Sequence, residues 1–198
     1  LDILKDRLYT FRKDSPLRRG SQTVLFDILV ALTKLMAPVL SFTAEEIWRM
    51  LPESVRVDSK ADSVHLAMFP EVDPRWADAK LAERWEQLLE VRTAVQAALE
   101  VQRREKVIGA PLEAKVLIDA HSAQYNLLKT YGQDLPAFFI VSDVVLQSAP
   151  DLPEKPGFVI TVEKATGVKC ERCWNYRGSV GTSSDHPTLC DRCVEAVR

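Results

Sequence analysis

Two Cys-x-x-Cys pairs, Cys170-Glu-Arg-Cys173 and Cys190-Asp-Arg-Cys193, hold all four cysteines of the chain within its last 29 residues. The two-residue gap lets one tight knuckle present two sulfurs, and the 16-residue interval between the pairs brings the second knuckle opposite the first. Four thiolates converging at about 2.3 Å make a tetrahedral zinc site with no coordination position left for water, so the expected metal is one structural Zn2+. His186 lies four residues before Cys190 and could compete as a ligand, but four cysteines already complete the set. Trp174, Asn175, Tyr176 and Arg177 follow the first knuckle directly. Aromatic rings and an arginine on a rigid zinc knob suit stacking on unpaired bases, or else packing over a very small core.

A second chemical feature is a basic start. Lys5, Arg7, Arg12, Lys13, Arg18 and Arg19 stand against Asp2, Asp6 and Asp14, and local positive charge of this kind attracts phosphate backbones. The alternative is a solvated helix face. Arg103, Arg104 and Lys106 form a further group, which the carboxyl-end dipole of a helix explains without RNA. His65 and His121 stand outside any recognisable catalytic arrangement, and no glycine-rich phosphate loop or nucleophile motif occurs.

The composition bounds the rest. Hydrophobic residues are 46% of the 198 and charged residues 27%, with a formal net charge of −2, as in an ordinary globular protein. The most apolar stretch, residues 21–44, is interrupted by Asp27, Lys34 and Pro38 and reads as a buried bundle helix rather than a membrane span. The chain begins without Met inside an apparent helix, the expectation for a piece of something longer. Paired cysteines without a secretory signal favour metal binding in a reducing, cytoplasmic compartment.

These side chains need elements to position them. Val24, Ile28, Leu32, Leu35 and Val39 recur at helical spacing, widened by Leu25, Leu29 and Met36, and predict a helix buried along that stripe. Pro38 should end or kink it. Thr43 with Glu46 predicts a capping box, Phe42 with Ile47 a hydrophobic staple, and Pro52 a stop. Asp73-Pro74 predicts the start of a long helix running to about Lys106, with Leu81, Trp85, Leu88, Val95 and Leu99 on its buried side. Gly109-Ala-Pro111 ends it. Strands are predicted at 114–119, 144–147 and 158–163, with a helix over 122–131. The fold class expected is therefore mainly α with a small α+β part. It comprises a helical bundle (1–75), a long connecting helix (76–109), a small α/β junction (110–165) and a four-cysteine zinc knuckle module (166–198).

Together these segments resemble the carboxyl-terminal part of bacterial isoleucyl-tRNA synthetases, a family of class I aminoacyl-tRNA synthetases. The matching runs are Asp2 to Tyr9, Met36 to Trp48, Arg103 to Val116, Val162 to Tyr176 and His186 to Val197. The helical part alone would also suit the valyl, leucyl or methionyl relatives. The junction joined to this zinc tail narrows the match. The resemblance implies that residues 1–75 form much of a helical anticodon-binding domain and that residues from about 110 hold the anticodon stem-loop. It also implies that Cys170, Cys173, Cys190 and Cys193 are the zinc ligands. The expected tRNA contacts are Arg12, Arg18, Arg19, Arg172, Trp174, Arg177 and Arg192. The family's HIGH-type and KMSKS-type signatures and its editing domain are not in this sequence. ATP, Mg2+ and the joining of isoleucine to its tRNA therefore belong to the full-length enzyme, expected to be monomeric and cytoplasmic. Two rivals are a DNA-repair glycosylase tail with a similar pair of knuckles, and a protein-interaction module whose docking surface is held by zinc.

Overall fold

The computed structural model describes residues 2–58 and 61–198. Two compact units emerge from the packing: residues 14–77, and residues 1–13 together with 78–198.

The helical unit contains α2 (Pro16–Met36), α3 (Ser41–Met50) and α4 (Glu53–Asp58). Pro38 acts as expected, since α2 ends at Met36 and the amides of Val39 and Leu40 both donate to the Met36 carbonyl. Pro52 likewise follows the end of α3. The core of this unit is built on Trp48, fully buried, with Ala37, Ala44, Leu51, Ala61 and Val64 around it. The Trp48 indole N–H donates to the Ala61 carbonyl at 3.1 Å, which satisfies its one polar atom.

Three expectations fail here. The buried face of α2 is not the Val24–Ile28–Leu32–Leu35–Val39 stripe, whose members are 48–80% exposed. Val30 and Ala37 pack into the Trp48 core, and Thr33 is buried with its hydroxyl turned back to the Leu29 carbonyl. Small residues let α3 approach closely enough to bury an indole, so they outcompete the bulkier stripe. The capping box does not form either. Because the turn after Pro38 is tight, Ala44 already donates to Leu40, and α3 begins at Ser41 with Thr43 inside it. Phe42 is 93% exposed, which leaves no staple. The working carboxylate is Glu45, which accepts from the Ser63 hydroxyl and the Val64 amide.

In the larger unit, α5 (Ala79–Arg104) starts five residues later than predicted. Asp73-Pro74 makes only a 3-10 turn (Pro74–Trp76), and the true cap is Asp78, whose carboxylate accepts from the Leu81 amide at 2.9 Å. Leu88, Val91, Val95 and Leu99 lie along one side of α5 and are buried, whereas Leu81 and Trp85 remain 39% exposed. This helix packs on a three-stranded sheet rather than spanning between domains. The sheet order is β2 (Asp143–Ser148), β1 (Ala114–Ala120), β3 (Phe158–Lys164), with β2 parallel and β3 antiparallel to β1. Along β1, Ala114, Val116, Ile118 and Ala120 are buried and alternate with half-buried residues. Their partners on β3 are Lys164, Val162, Ile160 and Phe158. Helices α6 (Ser122–Thr130) and α7 (Leu135–Phe139) complete the β1–β2 crossover, bringing Leu128, Leu135, Phe138 and Phe139 into the same core.

Residues 2–13 belong to this unit, not to the helical one with which the sequence grouped them. They carry α1 (Lys5–Thr10), where Arg7 pairs with Asp134 beside α7 at 2.6 Å. The zinc module follows β3, with a hairpin of β4 (Val168–Lys169) and β5 (Tyr176–Arg177) and a closing helix α8 (Asp191–Val197). Gly167 enters the hairpin at φ +96°, where a Cβ would meet the Arg177 carbonyl carbon at 2.6 Å. Only glycine fits.

Candidate metal centre and its surroundings

Cys170 and Cys173 sit at the two ends of the first knuckle, between β4 and β5, and Cys190 caps α8 with Cys193 one turn inside it. All four are buried, and their Sγ atoms lie within 4.8 Å of one another. The Cys173–Cys190 separation is 3.7 Å. A tetrahedron with zinc–sulfur bonds of about 2.3 Å has edges of about 3.8 Å, so the donor set fits Zn2+ in size as well as in softness. Val180 and Leu189 pack against this cluster and keep water from it. His186 is not part of the group.

The electrostatics prepare the site for a dication. Burial opposes ionisation of Cys170, but amides of Cys173, Cys190 and Arg172 donating to its sulfur outweigh that and hold the thiol down at about 6. Burial dominates at Cys190 and Cys193 and pushes both thiols up. The Arg172 guanidinium opposes it at Cys193, donating to the sulfur at 3.7 Å. One thiolate is thus ready at neutral pH, and the buried remainder must shed protons when the metal enters.

The knuckle backbone also aims an indole outward. The Trp174 amide donates to the Cys170 carbonyl at 2.9 Å, and the Cys170 amide to the Asn175 carbonyl at 2.9 Å. Asn175, itself buried, ties its side-chain amide to the Cys173 carbonyl. These bonds hold Trp174 at φ +64°, a left-handed conformation costing a non-glycine residue on the order of 1–2 kcal/mol. The residue is nonetheless 60% exposed, with the Lys169 ammonium 5.4 Å from the ring centre. Arg177 is exposed on the adjoining strand.

The other arginines divide. Arg172 donates to the Thr10 carbonyl. Arg192 makes a two-pronged ion pair with Asp6, at 2.5 and 2.9 Å, and lies 4.9 Å from the Phe11 ring centre. Arg12 follows in the same unit, exposed. Arg18 and Arg19 lie in the first turn of α2, in the helical unit. That turn carries no acidic residue, and its cap, Ser15, makes no side-chain bond to it. Cations at a helix start oppose the helix dipole, so the dipole does not favour two arginines there.

A cavity of about 890 Å3 opens among residues 2–11, the α7 region and the first knuckle. Arg7, Arg172, Arg177, Arg192, Asp134 and Trp174 are among its lining residues. The convergence of Arg172 and Arg192 on residues 6–11 was not anticipated from sequence. Its one signal was the repeated Cys-x-Arg-Cys.

Comparison with known proteins agrees with this geometry. The family described as "Anticodon-binding domain of tRNA ligase" matches residues 1–118, and "Zinc finger found in FPG and IleRS" matches residues 167–196. The chain is 49% identical to the isoleucine–tRNA ligase of Syntrophotalea carbinolica, 47% to that of Geobacter sulfurreducens and 43% to that of Moorella thermoacetica. Each alignment covers 100% of this chain and 21%, 21% and 22% of the respective relative. This chain thus spans about a fifth of the length of the curated relatives it matches. No helix among the described residues is long and apolar enough to cross a membrane. The helical match takes in more than half of the chain and the zinc-finger match covers the cysteine cluster, and on that ground the protein belongs to the anticodon-binding domain family of tRNA ligases.

Proposed function

We propose that this chain is the tRNA-binding region of an isoleucine–tRNA ligase and grips the anticodon stem-loop. The whole protein, on this reading, joins isoleucine to its tRNA with ATP and Mg2+, as a monomer in the cytoplasm. The observation that carries the RNA reading is Trp174. A large indole held at a strained backbone angle by the zinc knuckle, yet 60% exposed beside Lys169 and Arg177, is a stacking platform rather than a core residue. Unpaired loop bases offer the flat faces such a platform takes. Arg12, Arg18, Arg19 and Arg177 supply the phosphate contacts. Arg172 and Arg192 spend donors on Thr10 and Asp6, so their part in binding is exerted through the chain they hold.

The test is Trp174→Ala. Stacking is worth roughly 1–3 kcal/mol per base by alanine substitution, so affinity for isoleucine-specific tRNA should fall about tenfold or more. Zinc content and unfolding midpoint should stay near wild type. Equal affinity for duplex DNA and tRNA would favour the glycosylase-like reading. A variant that loses zinc before it loses tRNA would assign the indole to packing.

A further inference from the structure

The two knuckles share the pattern Cys-x-Arg-Cys, and both central arginines reach the same short stretch near the start of the chain. Arg172 donates to the Thr10 carbonyl. Arg192 clamps the Asp6 carboxylate through both terminal nitrogens and stacks on Phe11. Both guanidiniums are half-buried, and the Asp6 side chain keeps only 26% of its surface exposed. The Thr10 hydroxyl completes the arrangement by donating to Asp6 at 2.6 Å. Each arginine is adjacent to one zinc ligand and two residues from the other, so the metal that fixes the knuckles also fixes where the guanidiniums point.

We propose that Arg172 and Arg192 form a zinc-dependent clasp, positioning residues through which metal occupancy holds residues 6–11 against the zinc module. Residues 2–4 have an anchor of their own, since Ile3 packs into the sheet core, and Arg7 adds a zinc-independent tie to Asp134 at the start of the clasped segment. The clasp therefore governs the second half of α1 and Phe11, the stretch immediately before the chain passes into the helical unit at Asp14. Coupling between two events is reciprocal: if zinc tightens the clasp by some factor, the clasp tightens zinc by the same factor. The metal then organises more than its own small module.

Hydrogen exchange read by mass spectrometry on the full chain tests this, with residues 2–4 as internal reference. Chelating zinc should raise exchange over residues 8–11 at least tenfold while leaving the sheet amides unchanged. Asp6→Asn breaks the clasp from the far side and replaces no residue of either knuckle. At saturating zinc it should still bind one metal per chain, show the same loosening over residues 8–11, and lose zinc affinity by a matching factor against a chromophoric chelator. Arg192→Ala should behave likewise, with Arg192→Lys restoring part of the protection. Exchange over residues 8–11 that ignores chelation would overturn the proposal. So would an Asp6→Asn chain whose segment protection and zinc affinity both equal wild type.

Discussion

The Tyr176 amide donates to the Ser142 hydroxyl at 2.7 Å, and that hydroxyl in turn donates to the Leu112 carbonyl. One buried oxygen thereby joins the zinc hairpin to the start of the sheet. Ser142→Ala leaves an amide and a carbonyl unpaired in a protein interior, and each unpaired group costs about 1–3 kcal/mol. Urea unfolding of the larger unit should show a loss within that range per group. Zinc stoichiometry should stay at one per chain. A shift below about 0.5 kcal/mol would mean that water replaces the hydroxyl.

Zinc binding should depend steeply on pH. Cys170 is held near 6, whereas Cys190 and Cys193 are raised by burial, so at neutral pH the metal must displace protons from at least these two. In the metal-free chain the signs are opposed. The depressed Cys170 contributes stability that is complete above its ordinary value of 9.0 and is lost as pH falls through about 6. The raised thiols of Cys190 and Cys193 contribute stability present at low pH and lost as pH rises through their folded values. Zinc affinity should therefore rise about a hundredfold or more per pH unit near neutrality, followed by chelator competition. A slope near zero would mean the thiolates are already formed.

Replacing Cys190 with Ser should abolish stoichiometric zinc and unfold the tail, because structural zinc supplies an apparent ~10–16 kcal/mol in zinc-finger peptides. The Trp48 core lies in the other unit and shares no buried residue with the cysteine cluster. Far-ultraviolet circular dichroism should thus keep most of its helical signal. Collapse of the whole helical signal would show that the two cores are coupled.

At the centre of the sheet, Ile118 is fully buried and faces Ile160 across the β1–β3 pair. Ile118→Ala should cost about 2–5 kcal/mol and Ile118→Val about 0.5–1.5 kcal/mol. Both are read from denaturant midpoints at constant zinc.

For the RNA-facing arginines, salt dependence separates phosphate binding from general weakening. Each side chain that neutralises a phosphate adds about 0.7 to the steepness of the log–log salt slope on single strands and about 0.9 on duplex. Arg18→Ala with Arg19→Ala should make the slope shallower by one to two such steps. An unchanged slope removes the first turn of α2 from the footprint.

Local patterns carried far into this structure, and non-local ones did not. The four-cysteine cluster was readable because knuckle geometry is set within four residues. The three strands were found to within a residue or two because their turns and alternation are local. The burial face of α2 was misread because hydrophobicity alone does not say which face meets a neighbour. Thr33 and Ala37 won through size, in service of Trp48 on another helix. The start of α5 was misplaced because two aspartates, Asp73 and Asp78, both cap, and only one precedes a helix long enough to matter. Arg192 and Asp6 are separated by 186 positions, and no window along the sequence contains both.

The four tryptophans divide by environment in a way that makes them optical labels. Trp48 is sealed and hydrogen-bonded within the helical unit, while Trp174 stands in solvent on the knuckle. Indole emission moves to the red as water reaches the ring, and soluble quenchers act only on rings they can touch. Trp48 should therefore glow blue and unquenched until the helical unit melts. Trp174 should emit red from the outset and be open to acrylamide, and to any base that covers it. With Trp76 and Trp85, which are 72% and 39% exposed, replaced by Phe, a single excitation wavelength can then follow the unfolding of one unit and the occupation of the other without a dye.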